Sequence, residues 1–188
     1  MYSISGSPNS PPRTTTPKTP SWTKPSARAS APRCELFAWR TTPEGRLAEV
    51  LVLDQFSRNV YRDTARAFAQ DALAFLLAQE LVASGQDRSL PLVQRSFAYM
   101  PYMHSESALV HAQAALLFAQ PGMEDTFRFE LRHKEIIDRF GLYPHRNALL
   151  GRESSPEELD FFERAGVEVL ASLFVSRVFW IGSNGQSL

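Results

Sequence analysis

Two polar clusters interrupt apolar segments of the sequence and contain side chains that could do chemistry. The first is Asp54-Gln55-Phe56-Ser57-Arg58-Asn59, and the second combines Pro144-His145-Arg146-Asn147 with Gly151-Arg152-Glu153-Ser154. Carboxylate and imidazole groups transfer protons, and guanidinium groups hold anions. Because burying an unpaired charge is costly, ionisable residues beside core segments indicate either pairing or function. The sequence therefore locates a candidate site, although it does not name a ligand or a reaction.

Asp54 and Arg58 are four residues apart, the spacing of side chains that meet on one face of a helix. Both continue an apolar stripe formed by Leu47, Val50 and Leu51. Both are therefore predicted to point inward and to pair with each other. Such a pair has two interpretations: a buried ion pair that fixes how the helix packs, or part of a ligand-binding site.

The chain contains four histidines: His104, His111, His133 and His145. His104 and His111 would share one face if a single helix continued through Ser105. Together with nearby acids, these histidines are numerous enough for a zinc or iron site. However, the sequence lacks the two-histidine helical spacing of zinc proteases and any cysteine pair. We therefore predict no metal site and no cofactor, and we interpret most of these histidines as structural.

The segment 141–155 is the stronger functional candidate, because it precedes a predicted helix that begins at Pro156. The free amides and the dipole at a helix amino terminus favour an anion. Glu157 and Glu158 lie in the first turn of that helix and already supply negative charge. The anion at this position is therefore either a ligand or the protein's own carboxylates.

The candidate ligand-binding residues come from all of these segments: Asp54, Arg58, Asn59, His104, Glu106, His145, Arg146, Asn147 and Arg152. We predict a soluble helical binding protein whose inner surface accepts a small anionic molecule or a peptide, with the arginines as forks for planar anions. One alternative is an enzyme in which His104 or His145 is the general acid or base. The other alternative is a purely structural role for all of these residues.

Helices have to position these clusters, because no segment alternates apolar and polar residues as a strand does. Start and stop signals predict six helices: 43–61, capped by Thr42, then 65–84, 89–100, 105–119, 123–140 and a last one from Pro156. Pro101 is expected to bend or end the third helix. Short links between long helices make neighbours antiparallel, so the fold class is all-α, a stack of antiparallel helical hairpins.

Composition divides the 188 residues into two parts. Residues 1–34 are rich in Pro, Ser and Thr and contain no acidic residue, so we predict a disordered basic tail. Residues 35–188 are predicted to form a single helical domain. This part is mildly acidic, which argues against nucleic-acid binding because no basic face is available to phosphates.

The remaining composition signals concern compartment and membranes. Cys34 is the only cysteine, which fits a reducing compartment, and we predict a cytoplasmic protein. The apolar stretch Val167–Ile181 is interrupted by Glu168 and Arg177 and falls short of the roughly 20 apolar residues that span a bilayer. We therefore interpret it as a packed terminal helix rather than a membrane contact.

Several ordered motifs resemble one family: Gly45-Arg46-Leu47, Leu53-Asp54-Gln55-Phe56, Arg58-Asn59, Tyr99-Met100-Pro101, Met103-His104-Ser105-Glu106, Arg139-Phe140-Gly141, Pro144-His145-Arg146-Asn147 and Leu150-Gly151-Arg152-Glu153-Ser154. Over residues 35–162 the chain resembles the largely bacterial family of uncharacterised proteins called domain of unknown function 924. The resemblance implies an all-helical fold of the tetratricopeptide-like superfamily. It implies no activity, since the family has none established.

Overall fold

A computed structural model describes residues 36–161 of the chain. Every regular element in this range is helical, which confirms the all-α prediction for the described part. No helix within it is long and apolar enough to cross a membrane. The predicted tail at residues 1–34 and the apolar stretch Val167–Ile181 lie outside the described residues.

The described helices follow one another with short connections. The α-helices are α1 (Pro43–Leu51), α2 (Ser57–Val60), α3 (Asp71–Ala83), α4 (Leu92–Met103), α5 (Ala108–Phe118) and α6 (Glu124–Phe140). A further helix, α7, begins at residue 156 and is described through residue 161. A π-helical segment, Val52–Phe56, joins α1 to α2. Short 3-10 helices span Leu36–Thr41, Ala65–Phe68, Gln86–Ser89, Pro144–Arg146 and Ala148–Leu150.

The first helix begins where the sequence predicts. Thr42 Oγ1 accepts a hydrogen bond from the Gly45 amide at 3.0 Å, and Pro43 occupies the first helical position. The helix continues through the π-helical segment to Val60, one residue short of the predicted end. The π-helical segment itself was not predicted, and such single turns are frequent at functional sites.

Three predicted helix boundaries were wrong. The helix predicted over residues 65–84 is divided into a 3-10 turn and α3. The next helix begins at Leu92 rather than at Ser89, because the extended backbone of Pro91 separates them. It then continues through Pro101 to Met103, since a proline in the last turn removes only one helical hydrogen bond.

The start of α5 corrects the prediction for two histidines. This helix begins at Ala108 rather than near Ser105, and α4 ends at Met103. His104 therefore lies directly after α4, whereas His111 lies in α5, and the two do not share a helical face.

Neighbouring helices pack in the order of the chain. Helix α3 contacts α4, α4 contacts α5, and α5 contacts α6, while α1 lies against both α3 and α4. The main core is centred on Leu81, Ala98, Tyr99 and Phe118, all of them buried. The rings of Tyr99 and Phe118 meet edge to face with centroids 5.7 Å apart. This core holds α4 against its neighbours and so fixes the end of α4, where His104 lies.

Replacing Gly45 with alanine is expected to lower the free energy of unfolding by about 1–3 kcal/mol. A Cβ atom at this position would lie 1.9 Å from the backbone oxygen of Trp39, so the preceding 3-10 segment would have to move. In an ordinary helix interior the same change stabilises by roughly 1 kcal/mol, so the sign itself is informative. Urea denaturation measures the effect, and an unchanged or raised midpoint would contradict the close approach of Gly45 to the backbone oxygen of Trp39.

Candidate functional site

Asp54 lies within the π-helical segment and is only 1% exposed. Its Oδ1 atom lies 2.7 Å from Arg58 Nη1 and 2.7 Å from His104 Nδ1. Its Oδ2 atom accepts a hydrogen bond from the side-chain amide of Gln55. The predicted pairing of Asp54 with Arg58 is therefore confirmed, and the carboxylate holds an imidazole in addition.

The protonation states of this pair follow from its surroundings. Burial acts to raise the pKa of Asp54, but the positive charge of Arg58 and the contact with His104 outweigh it and hold that pKa well below its usual range. Burial and the charge of Arg58 together lower the pKa of His104, against the opposing effect of Asp54. At neutral pH the carboxylate is ionised and the imidazole is neutral. Nδ1 of His104 therefore carries the proton and donates a hydrogen bond to Asp54.

The other ring nitrogen of His104, Nε2, has no hydrogen-bond partner among the described residues. The side chain as a whole is 14% exposed. Within the described part of the chain, His104 therefore has an unprotonated nitrogen without a protein partner, while a buried carboxylate holds the opposite side of the ring.

Asp71, the first residue of α3, connects the two arginines. Its Oδ2 atom lies 2.8 Å from Arg58 Nη2 and 3.3 Å from Arg146 Nη1. Arg146 Nη2 also donates to the backbone oxygen of His104 at 2.9 Å. The π-helical segment, α2, α3, the end of α4 and the turn after α6 therefore converge on one group of residues. We call Asp54, Arg58, Asp71, His104 and Arg146 the Asp54 cluster.

The guanidinium of Arg146 packs against two aromatic rings. Its carbon lies 4.7 Å from the centroid of Phe68 and 4.5 Å from that of Tyr143. The side chain is 7% exposed, and its Nε atom is buried without a partner. Burial and the charge of Arg58 lower the pKa of Arg146, so the surroundings compensate its charge incompletely. An anion placed beside it would be stabilised.

Five predicted site residues lie outside the Asp54 cluster, and three of them are Glu106, Arg152 and Asn59. Glu106 forms a two-pronged ion pair with Arg152, at 2.8 and 2.9 Å, and also accepts the Tyr143 amide at 2.9 Å. Asn59 is exposed and donates to the backbone oxygen of Gln55 at 2.9 Å. The contacts of Glu106 hold Tyr143 and Arg152 in place, and the contact of Asn59 stays within the helical stretch that contains Gln55. The structure does not bring them to His104 Nε2.

Asn147 lies between two 3-10 turns and contacts the start of α7. It is fully buried, and its Nδ2 atom donates to Ser154 Oγ and to Glu158 Oε2, both at 3.1 Å. Ser155 and Glu158 form the predicted capping box, in which each backbone amide donates to the other side chain, at 2.9 and 3.2 Å. The anion at this helix amino terminus is therefore the protein's own Glu158, as one of the two predicted alternatives proposed.

His145 is adjacent to Arg146 but differs from His104. Its ring packs against that of Tyr143 with centroids 5.4 Å apart, and its Nδ1 atom is buried without a partner among the described residues. Burial and the neighbouring Arg146 charge lower the pKa of His145 to about 3. His145 is therefore neutral and, unlike His104, is not hydrogen-bonded to a carboxylate.

The two remaining histidines are held inside the helices. His111 contacts Glu130 at 2.7 Å through Nδ1 and the Ser105 backbone oxygen at 2.9 Å through Nε2. His133 donates to the backbone oxygen of Phe129 at 2.7 Å. Within the described part of the chain, no group of three or more histidine, cysteine, aspartate or glutamate side chains is arranged to hold a metal ion.

Sequence reasoning missed Asp71, Phe68 and Tyr143. Asp71 was placed inside a continuous helix over residues 65–84, although an acidic residue ahead of an Ala- and Leu-rich run is also a helix-start signal. Phe68 and Tyr143 lie in or beside short 3-10 turns that carry no periodic pattern. No sequence signal would have assigned them as the two sides of an arginine site.

Comparison with known proteins shows which family the chain belongs to. The sequence pattern of DUF924, described as a bacterial protein of unknown function, matches residues 20–166. The chain belongs to the DUF924 family. The matched range contains all five residues of the Asp54 cluster.

A solved structure resembles this DUF924 protein. It is that of a protein of unknown function, ATU0120, from Agrobacterium tumefaciens, with 38% sequence identity and a TM-score of 0.67. The similarity covers 70% of this chain and 74% of the other. No curated protein is significantly similar to the chain. The comparisons thus support the fold and the family, and the function has to be argued from the site.

Proposed function

We propose that this DUF924 protein binds a small anionic molecule or a peptide carboxylate at the Asp54 cluster. The observation that carries the proposal is the environment of Arg146. This guanidinium is nearly buried, its closest carboxylate contact is a long 3.3 Å, and it shares that carboxylate oxygen with Arg58. Arg58 has Asp54 as a second carboxylate partner at 2.7 Å, whereas Arg146 has only the long contact with the shared Asp71 oxygen, so Arg146 still attracts a negative charge placed beside it.

The arrangement favours a planar anion of low charge. The rings of Phe68 and Tyr143 cover Arg146 on two sides, so a ligand approaches the edge of the guanidinium rather than its face. Arg58 adds a second donor: its Nε atom has no partner among the described residues and is not among the buried unpartnered atoms. Carboxylates match guanidinium edges in shape and charge. A single carboxylate is therefore the ligand group that fits best.

We also infer that the helices stack as antiparallel hairpins in the tetratricopeptide-like manner. The short connections and the contacts of α3 with α4, α4 with α5 and α5 with α6 support this interpretation. Stacked hairpins commonly expose an inner surface to a ligand. His104 lies in the connection between α4 and α5. Fold alone does not assign the ligand, which rests on the Asp54 cluster.

Thermal unfolding of the full chain with acetate, succinate, inorganic phosphate and a tripeptide tests the binding proposal. A ligand at one hundred times its dissociation constant stabilises by about 2.7 kcal/mol, which raises Tm by several degrees in a protein of this size. We expect succinate or the tripeptide to produce this shift in the wild type. Arg146→Ala should abolish it, whereas Arg139→Ala should retain it, because Arg139 is an exposed arginine paired with Glu157.

Arg146→Lys separates binding from folding. Lysine keeps the charge but loses the two-pronged edge, so we expect a folded protein that binds the carboxylate about tenfold or more weakly. If no anion stabilises the wild type, or if Arg146→Lys binds as tightly as the wild type does, the proposal is wrong. The Asp54 cluster would then have the purely structural role that the sequence also allowed.

A catalytic role is the second candidate function, favoured by the 2.7 Å contact between Asp54 and His104. A carboxylate that orients one imidazole nitrogen while the other faces solvent is the usual arrangement of a histidine general base. Of the two histidines that the sequence offered as acid or base, His104 has this arrangement. His145 has no carboxylate partner among the described residues.

A further inference from the structure

We propose that the Asp54 cluster hydrolyses esters that carry a free carboxylate, with His104 as the general base. This inference rests on the proposed binding function, because the arginines have to hold the carboxylate of the substrate. It adds a reaction, a substrate class and a role for Nε2 of His104.

The contact between Asp54 and His104 prepares the imidazole for this role. The ionised carboxylate accepts the Nδ1 proton at 2.7 Å, so the basic lone pair is confined to Nε2. Asp54 is held by two further contacts, with Arg58 at Oδ1 and with Gln55 at Oδ2. The ring therefore keeps one tautomer and one orientation without a reorganisation step.

The arginines lie close enough to act on the same molecule. Arg58 binds the same Asp54 oxygen that accepts the His104 proton, and Arg146 binds the backbone oxygen of His104 itself. A short dicarboxylic acid monoester therefore places its free carboxylate at a guanidinium and its ester carbonyl beside the imidazole. The positive charge of the two guanidiniums also stabilises the negative charge that develops on the carbonyl oxygen.

The reaction balances with water as the only co-reactant. His104 Nε2 takes a proton from a water molecule while the water oxygen forms a bond to the ester carbonyl carbon. The tetrahedral intermediate then collapses, the bond from carbon to the alcohol oxygen breaks, and Nε2 returns its proton to the departing alcohol. The products are a dicarboxylic acid and an alcohol, and His104 ends in its starting neutral form.

The experiment compares mono-4-nitrophenyl succinate with the uncharged 4-nitrophenyl acetate, following release of nitrophenolate by the full-length protein. The free carboxylate of the succinate ester also attacks its own ester group without the protein, so the rate measured without protein is subtracted for each ester. We expect the remaining, protein-dependent turnover to be faster for the succinate ester. His104→Gln should lower kcat by at least 100-fold, the smaller end of the usual effect of a general base. Asp54→Asn should also lower kcat, since the wrong tautomer becomes available. Arg146→Lys should chiefly raise KM, and the surface variant Arg139→Ala should change neither constant.

The pH profile adds a readout that a structural role would not produce. Because burial and Arg58 hold the pKa of His104 below its ordinary value, Nε2 is already unprotonated at neutral pH. The rate after subtraction of the complete rate without protein at each pH should therefore stay level between pH 7 and 8 and fall only on acidification. The reaction should also be slower in D2O, because a proton moves in the transition state.

Each outcome decides between the two proposals. If the wild type binds succinate but hydrolyses neither ester above the uncatalysed rate, catalysis is overturned while binding stands. The same holds if hydrolysis survives His104→Gln or is lost instead with His145→Gln. If succinate does not bind and the acetate ester is hydrolysed as fast as the succinate ester, the arginine site and the substrate class are both overturned. If there is neither binding nor hydrolysis, both proposals are wrong.

Discussion

Replacing Asp54 with alanine is expected to lower the free energy of unfolding by about 3–5 kcal/mol, the cost of removing one partner from a buried ion pair. Asp54 is 1% exposed and is the shared acceptor of Arg58 and His104. Without it, the Arg58 guanidinium, which is only 14% exposed, keeps a single carboxylate partner, Asp71. Urea denaturation at pH 7 measures the change, and we expect a lower midpoint with a similar slope.

Asp138→Ala is the matched control, because Asp138 and Lys134 also form an ion pair four residues apart, but Asp138 is 48% exposed. Water solvates the remaining cation, so we expect a loss of at most about 1 kcal/mol, as for other surface pairs. Losses of equal size in the two variants would contradict the prediction. They would show that the buried pair of Asp54 and Arg58 is no more costly to break than an exposed pair.

The elements that the sequence predicted well are those with local chemical signals. Thr42 and Pro43 start the first helix, Gly141 ends α6 in a left-handed conformation, and Ser155 with Glu158 opens α7. Each of these signals satisfies backbone groups within a few residues, so sequence alone is enough to recognise it. The same is true of Asp54 and Arg58, whose contact is set by helical spacing.

The elements that the sequence missed depend on tertiary packing. The contact between Asp54 and His104 joins residues 50 positions apart, and that between Arg146 and the His104 oxygen joins residues 42 apart. Only the packing of α1 and α4 and the path of the turn after α6 create these contacts. The helix also continues through Pro101 because its neighbours hold α4 on both sides. A local rule could not weigh that support against the missing hydrogen bond.

Acidification from pH 6.5 to 4 is expected to destabilise the protein strongly, with His133 contributing about 3 kcal/mol. His133 is 3% exposed and donates Nδ1–H to the Phe129 oxygen, and burial lowers its pKa to about 3. An unfolded chain takes up a proton on this histidine below about pH 6.5, whereas the folded protein does not until near pH 3. The stabilisation is therefore complete above pH 6.5 and is lost as the pH falls towards 3. Tm measured at half-unit pH intervals follows this loss.

Other ionisable groups also change the dependence of Tm on pH. His145, with a pKa also lowered to about 3, adds to the loss in the same range. Burial raises the pKa of Glu130, which acts in the opposite direction, because the folded state then gains a proton more readily as the pH falls. Asp54, whose pKa is lowered, contributes stability that is lost only below about pH 4, where unfolded aspartates begin to bind protons.

His133→Gln isolates the contribution of His133, because glutamine can still donate to the Phe129 oxygen but cannot take up a proton in this range. We expect this variant to lose less stability than the wild type between pH 6.5 and 4, by roughly the 3 kcal/mol assigned to His133. Two results would contradict the assignment. A wild-type Tm that stays level down to pH 4 would show that the folded protein accommodates the charged imidazole. An equally steep fall in His133→Gln would mean that the acid sensitivity comes from His104, His145 and the carboxylates around Arg58 and Arg146.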